Sequence, residues 1–209
     1  MKTSPLKTLV LLSGSGTTLQ NFIELMEAGK LPIQIARVIS NTKEAYGLVR
    51  AERHGIPTQI ICRPDFASKE VFHQAVANAV SAVDPDLILL AGYMMIFRPD
   101  PKYYDRIMNV HPALIPAFCG KGMYGHHVHE AVIASGVKVT GATVHFVDEH
   151  YDSGPIICQK AIPVENDDTP DTVAEKVQAV EREIFPEAIR LFAAGRLRIE
   201  GRRVRVSPD

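Results

Sequence analysis

The chain carries an amide and an imidazole on one face of a short apolar segment. In Asn109-Val110-His111-Pro112, the side chains of Asn109 and His111 are two residues apart, so on a strand they point the same way. Pro112 favours an extended His111 and places the imidazole where the strand ends. Histidine titrates near neutral pH, and an asparagine amide can donate to an oxyanion. The segment predicts a general acid or base beside an oxyanion donor, or else a core histidine at a capped strand end.

A carboxylate later in the chain completes this predicted cluster. Asp152 stands in the turn-rich segment Asp152-Ser153-Gly154-Pro155, which joins two predicted strands. A returning strand pair would bring this turn to the end of the strand that carries His111, where a carboxylate favours the protonated imidazole. Because the set has two donors and a carboxylate and no Ser or Cys nucleophile nearby, it predicts direct acyl transfer to an amine.

A glycine-rich loop joins the first predicted strand to the first predicted helix. In residues 13–20, Ser-Gly-Ser-Gly-Thr-Thr-Leu-Gln, Gly14 and Gly16 allow close backbone approach, and free N–H groups at a helix start favour an anion. Leu19 replaces the third glycine of the dinucleotide fingerprint, which disfavours a nicotinamide cofactor. The loop predicts a cradle for one phosphate, or a tight turn without a ligand. Three hydroxyl groups could add donors, those of Ser15, Thr17 and Thr18.

Two other segments carry weaker signals. His126, His127 and His129 cluster with Glu130, but the second histidine of H-E-x-x-H is missing, so we predict a solvated or substrate-lining helix start and no metal. The run Gly92-Tyr93-Met94-Met95-Ile96-Phe97 is consistent with plain core and equally with a slot for a flat heterocycle.

Composition narrows the class of protein. The 209 residues are 46% hydrophobic and 22% charged, which is typical of a globular protein. With 23 Lys and Arg against 24 Asp and Glu, no basic field favours nucleic acid. The first apolar run, Leu9 to Leu12, is too short for a signal sequence or membrane span, so we expect a cytoplasmic protein. Its scattered cysteines, Cys62, Cys119 and Cys158, fit reduced thiols rather than disulfides or a zinc site.

Strand-like and helix-like stretches alternate through the first half of the chain. This order predicts an α/β fold with a mostly parallel, Rossmann-like sheet covered by helices on both faces. Residues Val139–Val147 and Pro155–Val164 indicate an antiparallel pair. Thr169 begins a long helix that Pro186 should kink or divide, and a terminal hairpin follows. We predict one domain over residues 1–209, in which 1–108 bind nucleotide or phosphate and 109–209 complete the catalytic site.

Taken together, these motifs resemble those of the folate-dependent formyltransferases, over nearly the whole chain. The matching segments are S-G-x-G-T-x-L-Q at 13–20, A-G-Y-M at 91–94, N-V-H-P at 109–112, V-H-F-V at 144–147 and D-S-G-P at 152–155. The N-x-H pair with a later Asp is specific to this superfamily. Within the superfamily, the N-terminal loop resembles that of the branch that formylates glycinamide ribonucleotide in purine synthesis.

The resemblance implies a role for each motif. Asn109, His111 and Asp152 would be the catalytic set, and the loop Gly14–Thr18 would hold the substrate phosphate. Gln178 and Glu181 would meet the ribose or glycinamide end. The cosubstrate 10-formyltetrahydrofolate would lie across Met94, Met95, Ile96 and Phe97, touch Lys69, and approach Asn109 and Asp152. Departures from many relatives are Thr18 in place of Asn, Met95 and Lys69 in place of Arg, and a loop at Cys119–His129 that is longer than in some.

Related activities remain as alternatives. Formyltetrahydrofolate hydrolase shares the catalytic set but usually has an extra N-terminal regulatory domain, whereas Leu6 already begins the first strand here. Methionyl-tRNA formyltransferase would need a tRNA-binding domain and a basic face. A non-catalytic nucleotide-binding module is the alternative from another class. We expect small-molecule substrates, no nucleic-acid or membrane partner, no metal, and a monomer or weak homodimer.

Overall fold

A computed structural model describes residues 4–98 and 100–208 of the chain. The residues form two structural units, and the first ends at Met108 where the second begins at Asn109. This boundary falls within the strand Ile107–His111, which carries the predicted catalytic pair. No helix among the described residues is both long and apolar enough to span a membrane.

Parallel strands form the centre of the first unit. β1 (Leu6–Leu12) pairs with β2 (Ile33–Ser40) and β4 (Leu87–Leu90), and β2 pairs with β3 (Thr58–Ile60), in the order β3-β2-β1-β4. The helices are α1 (Thr17–Glu27), α2 (Tyr46–Arg53) and α3 (Lys69–Val83), with 3-10 turns at Arg63–Asp65 and Pro101–Arg106. Residues 9–12 of β1 are fully buried, so both faces of the strand are covered.

The second unit mixes strand directions. Its strands are β5 (Ile107–His111), β6 (Val139–Phe146), β7 (Ile156–Pro163), β8 (Leu197–Glu200) and β9 (Arg203–Val206), in the order β5-β6-β7-β9-β8. The pairs β6–β7 and β8–β9 are antiparallel, and β7–β9 is parallel. Helices α4 (His126–Ser135) and α5 (Pro170–Ala193) complete the unit.

These elements confirm the predicted α/β class, the parallel N-terminal strands and the antiparallel C-terminal part. The predicted start of α5 is also confirmed, because the Thr169 hydroxyl accepts from the Thr172 N–H in a capping box. Pro186 does not divide α5, which continues through it to Ala193. Pro186 is buried, so packing of the helix compensates for the backbone hydrogen bond that proline cannot make.

Gly141 allows β6 and β7 to approach closely, which generates a stability prediction. A methyl group at this position would lie 2.1 Å from the Lys160 carbonyl oxygen and 3.0 Å from the Ala161 Cα, both backbone atoms of β7. We expect Gly141→Ala to lower the free energy of unfolding by about 2 kcal/mol or more in urea titrations. Val139→Ala, at an exposed position of the same strand, should change it by less than about 0.5 kcal/mol. Equal stability of the two variants would contradict the packing.

Candidate active site

Strand β5 places the predicted catalytic pair side by side. Val110 turns to the opposite face and is buried there, while the His111 side chain is only 4% exposed and Asn109 is half-buried. The alternation predicted for this strand is therefore present in the structure. A histidine at this depth is stable only if its ring nitrogens find partners.

Both ring nitrogens of His111 face an acceptor. Nδ1 lies 3.6 Å from Oδ2 of Asp152, and Nε2 lies 2.8 Å from the carbonyl oxygen of Phe118. A neutral imidazole donates from one nitrogen only, so it would leave a lone pair directed at one of these oxygens. The two oxygens are therefore placed to face an N–H on either ring nitrogen, Nε2 toward Phe118 and Nδ1 toward the carboxylate.

The Asp152 carboxylate is itself held in place. Its side chain is 12% exposed, and Oδ2 accepts a hydrogen bond of 2.9 Å from the backbone N–H of Gly120. Asp152 has a φ of 51°, a left-handed conformation that aspartate tolerates better than most residues. Residues 118–120 thus contact both predicted catalytic side chains, one through a carbonyl and the other through an N–H group.

His145 joins the cluster, although no role was predicted for it from the sequence. Its Nδ1 lies 2.7 Å from the Phe146 carbonyl oxygen, so Nδ1 carries the hydrogen. Its Nε2 then accepts from the Asn109 amide nitrogen, 3.2 Å away, and lies 3.8 Å from Oδ1 of Asp152. Burial lowers the pKa of His145, consistent with a neutral ring. This bond fixes the Asn109 amide and leaves its second N–H for another acceptor.

Two polar side chains anchor the loop that follows His111. The Thr143 hydroxyl donates to the Ala113 carbonyl at 2.7 Å and accepts from the Ile115 N–H at 3.1 Å. The Gln159 side-chain amide donates to the Ile115 carbonyl at 2.9 Å. Phe118 has a φ of 50°, which is unusual for a bulky residue and turns the backbone toward His111. The position of the Phe118 carbonyl is therefore supported from β6 and β7.

One cysteine lies close to the predicted catalytic set. Cys119 stands between the two residues that contact His111 and Asp152, and its thiol lies 3.3 Å from the Pro116 carbonyl oxygen. Burial, with a smaller contribution from Asp152, raises the pKa of this thiol. Cys119 therefore remains protonated at neutral pH and is a poor nucleophile. The three cysteines are free, as predicted.

Gln178 and Glu181 lie one turn apart on α5. Gln178 accepts from the Arg182 guanidinium at 3.2 Å. Within the described residues, the Glu181 carboxylate has no hydrogen bond or ion pair, and burial raises its pKa to about 7. A half-buried carboxyl group without a hydrogen bond or ion pair is suited to meet a polar ligand.

Two histidines at the start of α4, His126 and His127, form a polar surface cluster with nearby carboxylates. His127 lies 3.1 Å from Glu130, and His126 lies 3.9 Å from Glu130 and 3.7 Å from Asp171. His129 is buried, its Nδ1 has no partner within the described chain, and burial lowers its pKa. No group of three or more potential ligand side chains among residues 4–98 and 100–208 could hold a metal ion.

In the first unit, the glycine-rich loop leads directly into α1. Gly16 precedes the helix in a left-handed conformation, with φ 69° and ψ 29°, and Thr17 begins the helix. The buried Ser13 hydroxyl donates to the Asn41 side-chain oxygen at 2.6 Å and accepts from the Met94 N–H at 2.8 Å. One side chain therefore links the glycine-rich loop to the segment predicted as a heterocycle slot.

That segment combines core and exposed residues. The Phe97 side chain is buried, so part of the run is core, whereas Met94 is 51% exposed. Across the described residues, the backbone N–H groups of Met95 and Phe97 have no hydrogen-bond partner. Lys69 is exposed at the first position of α3. The backbone at Met95 and Phe97 can therefore bind a polar heterocycle.

Comparisons with known proteins find formyltransferases that match almost the entire chain. A family model described as formyl transferase matches residues 6–189. The chain is 37% identical over 196 residues to the phosphoribosylglycinamide formyltransferase of Haemophilus influenzae, covering 93% of this chain and 90% of that protein. It is also 38% identical over 201 residues to the trifunctional purine biosynthetic protein adenosine-3 of Gallus gallus. That alignment covers 95% of this chain but only 20% of the longer protein.

A solved structure shows the same architecture. The glycinamide ribonucleotide transformylase 1 of Symbiobacterium toebii superposes with a TM-score of 0.90 at 43% sequence identity, over 98% of this chain and 95% of that one. The likeness therefore covers both structural units.

The environment of Glu181 gives a prediction about pH and stability. Because burial raises its pKa to about 7 from 4.5, the folded state favours the protonated form, and that stabilisation is lost as the pH rises through 7. Glu181→Gln should therefore gain stability over the unmutated protein between pH 5 and pH 8, by about 1 to 3 kcal/mol. Melting temperatures measured across this range test it. Glu175→Gln, at an exposed position of the same helix, should show no such trend.

Proposed function

The chain belongs to the formyl transferase family, and on that premise we propose that it transfers the formyl group of 10-formyltetrahydrofolate to the amine of glycinamide ribonucleotide. The products are the N-formyl ribonucleotide and tetrahydrofolate, in a step of purine synthesis. The observation that carries the proposal is the buried cluster of Asn109, His111 and Asp152. It offers two donors to an oxyanion and a carboxylate that keeps one of them charged.

The reaction needs no covalent enzyme intermediate. The substrate amine attacks the formyl carbon, and the formyl oxygen becomes the oxyanion of a tetrahedral intermediate. The free N–H of Asn109 and the His111 imidazolium stabilise that oxygen, for which the His111 Nε2–H leaves the Phe118 carbonyl. The bond from carbon to the folate nitrogen then breaks. A proton passes from the amine to the leaving nitrogen, with Asp152 acting through water.

Substrate binding is divided among the remaining motifs. We propose that Gly14, Ser15, Gly16, Thr17 and Thr18 hold the ribonucleotide phosphate through backbone N–H and hydroxyl groups. Its ribose or glycinamide end would bind Gln178 and Glu181, and the Glu181 carboxylate makes no hydrogen bond or ion pair among the described residues.

The folate would bind along Met94–Phe97, with its heterocycle on the unpaired backbone groups of Met95 and Phe97. The Lys69 side chain would contact the acidic tail of the cosubstrate. Asn109 and Asp152 would approach the formyl-bearing nitrogen. In this proposal residues 1–108 supply the phosphate site and residues 109–209 the catalytic groups, so the full chain 1–209 acts as one formyltransferase domain.

One assay tests this function against its rivals. The protein is supplied with 10-formyltetrahydrofolate, with and without glycinamide ribonucleotide, and release of tetrahydrofolate is followed. Release that requires the ribonucleotide supports the transferase. Release without it would identify a hydrolase, and binding of either compound without release would identify a non-catalytic module.

Substitutions test the assigned roles. His111→Ala and Asp152→Asn should each lower kcat by about 10²- to 10³-fold, because the oxyanion loses a donor or the imidazole its charge partner. Asp167→Asn, at an exposed position in the same unit, should leave kcat unchanged. Circular dichroism would confirm that the variants fold. Rates close to that of the unmutated enzyme in both active-site variants would refute the assignment.

A further inference from the structure

Helix α2 holds two consecutive carbonyl groups of the glycine-rich loop. The backbone N–H of Gly47 donates to the Gly14 carbonyl at 3.1 Å. The Nε–H of Arg50, one turn further along the helix, donates to the Ser15 carbonyl at 2.9 Å. Both acceptors belong to the loop proposed to hold the phosphate, but neither donor was identified from the sequence.

These two bonds determine where the loop's N–H groups point. In a trans peptide the C=O and the following N–H point in opposite directions. Fixing the Gly14 and Ser15 carbonyls toward α2 therefore directs the N–H groups of Ser15 and Gly16 away from it. Gly16 has the left-handed conformation found in anion-binding backbone nests. Neither N–H group has a protein partner within the described residues.

The close approach of α2 is built into the sequence by two facing glycines. A methyl group on Gly16 would lie 2.5 Å from the Gly47 Cα, and one on Gly47 would lie 3.2 Å from the Gly16 Cα. Only glycine at both positions lets the helix come near enough for the Gly47 N–H to reach the loop. The start of α2 is therefore packed directly against the turn of the loop.

The Arg50 side chain is fixed by contacts on several sides. Its Nη1 donates to the Gln20 side-chain oxygen at 3.3 Å, and its guanidinium carbon lies 4.9 Å from the Tyr46 ring centroid. A guanidinium with defined hydrogen-bond and ring contacts loses little further freedom when it holds a carbonyl. Arg50 is half-buried, so its bond to Ser15 is only partly open to competition from water.

We propose that Arg50 is a positioning residue for the substrate phosphate. By holding the Ser15 carbonyl it presents the Gly16 N–H to the anion, together with the Ser15 N–H that Gly47 directs. This inference rests on the proposed function only in taking the phosphate of glycinamide ribonucleotide as the ligand. The arginine acts through the loop backbone, so it should affect ribonucleotide binding and leave the chemical step and folate binding unchanged.

A matched pair of variants tests the proposal. Arg50→Met removes one positive charge and the donor to the Ser15 carbonyl. Arg53→Met removes one positive charge from the same helix, and Arg53 also contacts the Tyr46 ring, at 5.7 Å from the ring centroid. We expect Arg50→Met to raise KM for the ribonucleotide about tenfold, the usual effect of losing one hydrogen bond to a positioned group. Its kcat and its KM for the folate should stay within about twofold. Arg53→Met should resemble the unmutated enzyme in all three constants.

Nuclear magnetic resonance of the Ser15 and Gly16 amides separates positioning from charge. In the unliganded Arg50→Met protein these two resonances should move, and inorganic phosphate should bind about tenfold more weakly. An unchanged KM, or amide resonances that coincide with those of the unmutated protein, would overturn the proposal. If the unmutated protein shows no ribonucleotide-dependent transfer, the proposed function fails. The phosphate titration then still decides the role of Arg50, since equal phosphate affinity in both proteins would refute it.

Discussion

The second structural unit depends on giving partners to an imidazole that is buried away from water. His111 is almost completely buried, and both its ring nitrogens face oxygen acceptors. A buried charge is stable only when its partners are held in place, because the protein cannot reorient around it as water does. Asp152 supplies a carboxylate on one side of the ring, and the Gly120 N–H holds that carboxylate in place. The Phe118 carbonyl completes the environment, so the loop between Phe118 and Gly120 is part of the charge-stabilising structure.

That requirement explains several features around the cluster. The loop after His111 must return to it with a defined backbone path, which Thr143 and Gln159 impose through hydrogen bonds from the two neighbouring strands. Gly154, two residues after Asp152, stands at a position where a methyl group would lie 1.8 Å from the Phe146 carbonyl oxygen of β6. The chain can therefore bring the carboxylate close to this strand only with glycine there. Left-handed backbone at Phe118 and Asp152 is a local cost offset by these contacts.

The sequence predicts the side chains that local periodicity can reveal. Alternation along β5 places Asn109 and His111 on one face, and the turn before β7 identifies Asp152, because both signals depend on residues close together in the chain. No role was predicted for His145, which lies two residues after Thr143 on β6. Nothing in the local sequence distinguishes a histidine that binds the Asn109 amide from a histidine that only packs in the core. The carbonyl of Phe118 was beyond prediction, because every residue has one and only the folded loop determines its direction.

The proposed catalytic cluster and the proposed anion site have different electrostatic requirements. This difference explains why the residues of the first are easier to identify from the sequence than those of the second. The proposed catalytic cluster is built from buried ionisable side chains, and the identity of a side chain is recorded in the sequence. An anion site on a helix start uses the partial charges of N–H groups, which any residue can provide. What must be specified there is the direction of the peptide planes, and Gly47 and Arg50 supply it from a different helix. A loop motif alone therefore predicts an anion site. The residues that orient the loop's peptide planes can be identified only once the position of the neighbouring helix is known.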